Sequence, residues 1–110
     1  MKQRDIYWAN LNPTKGNEQR DIRPVVIVSG NAMNDHLGIC IICPLSTKIK
    51  HYAGCLVLEK NALNQLPEDS EVLTFQIRTL AKQRLREKIG EISEEQLRVI
   101  RQGLVEILTY

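Results

Sequence analysis

Apolar positions come in short bursts along this chain, each closed by polar or turn-forming residues. "DIYWANL" alternates and is rich in aromatic residues, which predicts a strand over about residues 5 to 11. "NPTKGNEQRD" follows, with Asn, Pro, Gly and charge, and reads as a long loop or wide hairpin tip. "PVVIV" is a continuous β-branched run, the pattern of a strand covered on both faces. Pro24 has no backbone donor and is expected at the first position of that strand, where it also pushes Arg23 towards an extended conformation. "SGNAMNDHLG" is turn material with room for one helical turn. "ICIICPL" is a third apolar strand, ending in the polar group "STKIK", and "GCLVL" is a fourth. "EKNALNQLPEDS" reads as a loop with a short helix, "EVLTFQIRTL" as a fifth strand and "LREKIGEI" as a sixth.

The C-terminus carries the clearest helix. Ser93 and Gln96 have the spacing of a capping box, and Glu94 and Glu95 suit the first turn of a helix. Leu97, Ile100, Leu104, Ile107 and Leu108 form one apolar stripe. Gly103 weakens the helix interior but allows a close approach to the sheet. Five to six short strands with one C-terminal helix predict a mainly β, α+β fold, built as a small and strongly bent sheet or barrel. A chain of 110 residues suits one domain spanning 1–110.

Composition changes this picture little. The chain is 43% hydrophobic and 25% charged, as ordinary globular proteins are. No signal peptide is visible, and no stretch approaches a membrane span. Three cysteines, an odd number, argue against a disulfide framework and fit a reducing cytoplasm. Net charge is only +2, yet residues 78 to 88 hold five Lys or Arg against Glu87 alone. The concentrated sign is the one that phosphates attract.

Arg23 stands at the mouth of an apolar strand. It either pairs with Glu18 or Asp21, or offers its rigid fork of donors to a phosphate. Ser46 and Thr47 close the "ICIICPL" strand, where their hydroxyls either bond nearby backbone or face a ligand. If the two strands are adjacent and antiparallel, the start of one lies beside the end of the other, and Ser46 meets Arg23. Cys40 and Cys43 form C-x-x-C, with His36 and His51 flanking. Three residues apart in a strand, however, the two thiols point to opposite faces, so small core residues are expected rather than a metal site. "FQIRTLAKQRLREK" is either a solvated strand edge or a track for an RNA backbone. Tyr7 and Trp8 are core or interface aromatics, unless one faces a groove and stacks on an unpaired base.

Four segments occur in the order seen in one family: "DIYWANLNPTKGNEQ", "RPVVIVS", "CPLSTKIK" and "VLTFQIRTLAKQRLREKIGEIS". By these the chain resembles the MazF/PemK-like toxins of bacterial toxin–antitoxin systems over nearly its whole length. The resemblance implies an SH3-like barrel and a homodimer in the cytoplasm. It implies a metal-independent, cofactor-free endoribonuclease that cuts single-stranded mRNA at short sequence motifs, independently of the ribosome. It also implies a cognate antitoxin, with DNA met only indirectly through an antitoxin complex, and no membrane partner. The family's active-site arginine falls on Arg23 and its hydroxyl position, commonly threonine, on Ser46; Glu18 matches an acid seen in some members. The remaining candidates for RNA contact are Lys15, Thr47, Lys48, His51, Gln76, Arg78 and Thr79. Phe75 stands where some members carry an acid, and Arg4 where the family usually has glycine. A non-catalytic member of the same barrel, one that binds nucleic acid or poisons a topoisomerase, is the alternative; a structural subunit is a third reading.

Overall fold

The structure, a computed structural model, describes residues 1–12 and 21–110. Its strands are β1 (Asp5–Asn10), β2 (Ile22–Ile27), β3 (Ile39–Ser46), β4 (Leu56–Leu58), β5 (Ser70–Val72), β6 (Arg78–Ala81) and β7 (Leu85–Glu91). Helix α1 (Asn31–His36) joins β2 to β3, and α2 (Glu94–Thr109) ends the chain. The strands form one sheet in the order β4-β5-β3-β2-β1-β7, with β6 also paired to β3. Every pairing is antiparallel. The expected mainly β, bent sheet with a terminal helix is therefore the fold observed.

β3 organises the sheet. One edge pairs with β2 over Ile42–Pro44. The other edge meets β6 over Ile39–Ile42 and then β5 over Leu45 and Ser46. The segment expected as one strand, "EVLTFQIRTL", is thus two strands separated by a 3-10 turn at Thr74–Gln76. Between Val72, opposite Leu45, and Arg78, opposite Ile42, five residues run past the two of β3. The three extra residues cannot stay in the ladder, and the turn carries Phe75 and Gln76 out into solvent.

Both faces of the central strands are buried. Val25 and Ile27 enter one core cluster with Ala9, Cys40, Ile42 and Leu80. Val26 enters the other, with Ile6, Cys43, Leu45, Val72 and Ile92, and Leu97 and Ile100 of α2 close over it. The unbroken apolar run of β2 is the sequence trace of this double burial. Cys40 and Cys43 fall in opposite clusters, as a period of two requires.

α2 begins with the expected capping box: the Gln96 amide donates to Ser93 Oγ at 3.1 Å, and the Ser93 amide to Gln96 Oε1 at 3.0 Å. Its stripe is shorter than the sequence suggested, because Leu108 is 83% exposed beyond the end of the sheet. Gly103 does pack closely, since a Cβ placed there would lie 2.0 Å from the Gly54 carbonyl oxygen. Two other expectations need correction. Pro24 is the third residue of β2 rather than the first, and "EKNALNQLPEDS" forms turns without a helix.

Candidate active site

β2 and β3 part at a pair of prolines. Their last paired positions are Val25 and Pro44, and Pro24 follows at once on the β2 side. Neither proline has an N–H to extend a ladder. Pro44 gives its carbonyl instead to the Leu73 amide, at 2.9 Å, on the opposite edge. Continued two residues further, the β2–β3 register would set Arg23 level with Ser46. The space left by the parting strands is an open groove of about 580 Å³, and both residues line it.

Arg23 is held from its own strand. Its Nε donates to Asp21 Oδ1 at 2.9 Å, with the guanidinium about a third exposed. Among the described residues the two terminal nitrogens of the fork carry no partner and remain available to an anion. Ser46 Oγ accepts the Lys48 amide at 3.1 Å, which shapes the turn that follows, and among the described residues its hydroxyl proton has no acceptor. Thr47, Lys48 and Lys50 continue along the groove.

This turn is built on a buried carboxylate. Glu71 lies beside Ser46 in the β3–β5 pair and is wholly inaccessible to solvent. Its Oε1 accepts the amides of Lys50 at 2.8 Å and His51 at 3.2 Å, and its Oε2 accepts that of Tyr52 at 2.8 Å. Three backbone donors replace the water that a buried carboxylate would otherwise lack. They also hold the lysine-bearing segment against the sheet.

These observations carry a family assignment. The model described as PemK-like, MazF-like toxin of type II toxin-antitoxin system matches residues 2–108. The chain belongs to this toxin family. It is 33% identical over 105 residues to "Endoribonuclease MazF" of Staphylococcus saprophyticus, covering 94% of this chain and 88% of that protein. The crystal structure of MazF from Deinococcus radiodurans superimposes with a TM-score of 0.80 at 26% identity, covering 100% of this chain and 97% of that one. The structure of an endoribonuclease in complex with its cognate antitoxin, from a mycobacterial species, shares the fold, with a TM-score of 0.79 at 22% identity over 98% of this chain and 94% of that one.

On this toxin fold the sequence candidates divide. Arg23, Ser46, Thr47, Lys48 and Gln76 converge on the groove. Arg78 and Thr79 sit on β6, exposed and opposite Ile42 and Ile41. Arg78 Nη1 donates to the Leu11 carbonyl at 3.5 Å, at the end of β1. His51 is exposed, with a left-handed φ of 55°, and is outside the described groove lining. Lys15 and Glu18 lie outside the described residues. Of the two partners weighed for Arg23, Asp21 is paired with it, and Glu18 lies outside the described residues.

Burial pushes the Cys43 thiol up to about 12, with a further contribution from nearby Cys55. Among the described residues no group of three or more His, Cys, Asp or Glu is placed to hold a metal. No described helix is long and apolar enough to cross a membrane.

Lys50, Tyr52, Glu71 and Phe75 were not read as site residues. Glu71 had left a trace, an acid within the apolar run "SEVLTF". Phe75 stood out only by occupying a position where some members carry an acid, and Tyr52 left no trace, because the exposure of both depends on the 3-10 turn and on the Glu71 anchor.

Proposed function

We propose that this toxin is an endoribonuclease that cleaves single-stranded RNA with the RNA's own 2′-OH as nucleophile. The observation that carries the reading is that Arg23 and Ser46, far apart in the chain, line one groove where β2 and β3 separate, with Lys48 and Lys50 alongside and the acids Asp21 and Glu68 also in its lining. The curated relative's name, an endoribonuclease, supports it.

The 2′-oxygen attacks the adjacent phosphorus in line, a P–O bond forms, and the bond to the 5′-oxygen breaks. The products are a 2′,3′-cyclic phosphate, which can open to a 3′-phosphate, and a 5′-OH. Negative charge gathers on the non-bridging oxygens in the transition state. The free arm of the Arg23 fork meets that charge, and the Ser46 hydroxyl donates a further hydrogen bond. Asp21 fixes the plane of the guanidinium, so less ordering remains to be done when the phosphate arrives. The 2′-OH proton must leave and the 5′-oxygen must gain one. Glu18 is the proposed base; Arg23, whose guanidinium does not readily give up a proton, acts mainly electrostatically by hydrogen-bonding the leaving oxygen, which takes its proton from water. Because the nucleophile belongs to the substrate, no step calls for a metal.

The same reading includes a homodimer, a cytoplasmic location and neutralisation by a cognate antitoxin. The family's place in toxin–antitoxin systems supports the last of these. The test is incubation of the purified protein with mixed-sequence RNA in EDTA, with the matching DNA alongside. Cutting of the RNA alone, leaving 5′-OH ends that accept a kinase label, is the expected result. Binding without cutting would replace this reading with the non-catalytic one.

A further inference from the structure

The chain has five aromatic residues, and three of them, Trp8, Tyr52 and Phe75, line the groove. Two are unusually open for rings on a small folded protein: Tyr52 is 46% exposed and Phe75 is 47% exposed. Their centroids lie 5.0 Å apart at an interplanar angle of 77°, so together they form an L-shaped corner.

The backbone that carries the corner is tied down from beneath. The Tyr52 amide is bound by Glu71, and its carbonyl accepts the Cys55 amide at 3.1 Å. Phe75 rides on the 3-10 turn, whose first residue, Thr74, is fully buried. Thr74 Oγ1 donates to the Gly54 carbonyl at 2.9 Å, which ties the segment bearing Phe75 to the segment bearing Tyr52. Exposed rings carried on an anchored backbone have less freedom to lose on stacking, which suits a base-binding platform.

We propose that Tyr52 and Phe75 form a stacking subsite for one unpaired base of the RNA, beside the phosphate held by Arg23. The proposal rests on the endoribonuclease reading above. A base is favoured over an apolar peptide because the corner shares its groove with Arg23, Lys48 and Lys50, three cations against Glu68 and the Asp21 already paired with Arg23. Aromatic faces next to cations suit a strand in which bases alternate with phosphates. Stacking accepts any base, so the subsite would add affinity and set register rather than choose sequence.

The test uses a single-stranded RNA that carries the mapped cleavage site, made uncleavable by a 2′-deoxy nucleotide at the scissile position. Its bases are removed one at a time. In the wild type, loss of one base next to the scissile phosphate should weaken binding roughly five- to a hundredfold. Tyr52→Leu and Phe75→Leu should weaken the intact RNA comparably and show no further loss with the abasic RNA. Tyr52→Phe and Phe75→Tyr, which keep the rings, should bind as the wild type does. Circular dichroism melts show whether the leucine variants remain folded.

The subsite is overturned if the leucine variants bind intact RNA within twofold of the wild type. It is equally overturned if the abasic penalty persists in them, or if they lose affinity only for a synthetic acidic amphipathic peptide. Cleavage with normal ends by those variants would leave the endoribonuclease reading standing alone. A wild type that neither binds nor cuts RNA would remove both.

Discussion

Arg23 divides its guanidinium between two tasks: Nε is fixed by Asp21, and the remaining fork faces the groove. Arg23→Ala is expected to lower RNA cleavage about a hundredfold or more, with little change in melting temperature, because the side chain is partly exposed and outside both cores. Near-normal cleavage by that variant would remove Arg23 from the mechanism. Glu71 behaves oppositely. Glu71→Gln keeps an oxygen for the Lys50 and His51 amides but turns an amide donor towards the Tyr52 amide, leaving a buried donor unpaired, and should cost about 1–3 kcal/mol in a urea melt. Arg4 shows how one residue can be read in two ways. The family usually has glycine there, and Arg4 does adopt a left-handed φ of 82°, while its Nη1 donates to the Ile92 carbonyl at 3.1 Å. Arg4→Gly and Arg4→Ala both lose that hydrogen bond, but only alanine keeps the backbone strain. The glycine variant should therefore be the more stable of the two by about 1–2 kcal/mol.

Elements were legible where a local rule sufficed. The capping box of α2 and the double-sided burial of β2 both stand as expected. Ser93→Ala should cost about 1 kcal/mol by removing the cap. Gly103→Ala should cost more, although alanine is the better helix former. Its methyl group would collide with the Gly54 carbonyl, which cannot move without disturbing the Thr74 hydrogen bond. A chemical melt that ranks the two variants in the opposite order would discount the close packing. The 3-10 turn between β5 and β6 was illegible for a different reason. "EVLTFQIRTL" alternates as a strand should, and the break appears only when its register is counted against β3.

At the scale of the molecule, burial of ionisable groups gives stability a direction with pH. Cys43 is pushed up by burial from 9.0 to about 12. A thiol whose folded pKa lies above its unfolded value gives stability that is whole below the unfolded pKa. That stability falls as pH rises towards the folded value, by at most about 1.4 kcal/mol per pH unit. Lys88, raised chiefly by its hydrogen bond to Asp5, acts with the same sign. Urea melts above pH 9 should steepen this loss in the wild type relative to Cys43→Ala, and equal slopes would contradict it. The sequence by itself determined which segments are apolar, where α2 starts, and that a cation and a hydroxyl flank two apolar strands. Those properties follow from local periodicity and side-chain chemistry. Tertiary structure alone decided that the strands separate at Pro24 and Pro44, that Glu71 gathers three amides from a distant loop, and that a bulge turns Phe75 towards Tyr52. Each of these, the 3-10 turn at Thr74–Gln76 included, depends on which strands become neighbours and in what register, which no single segment encodes.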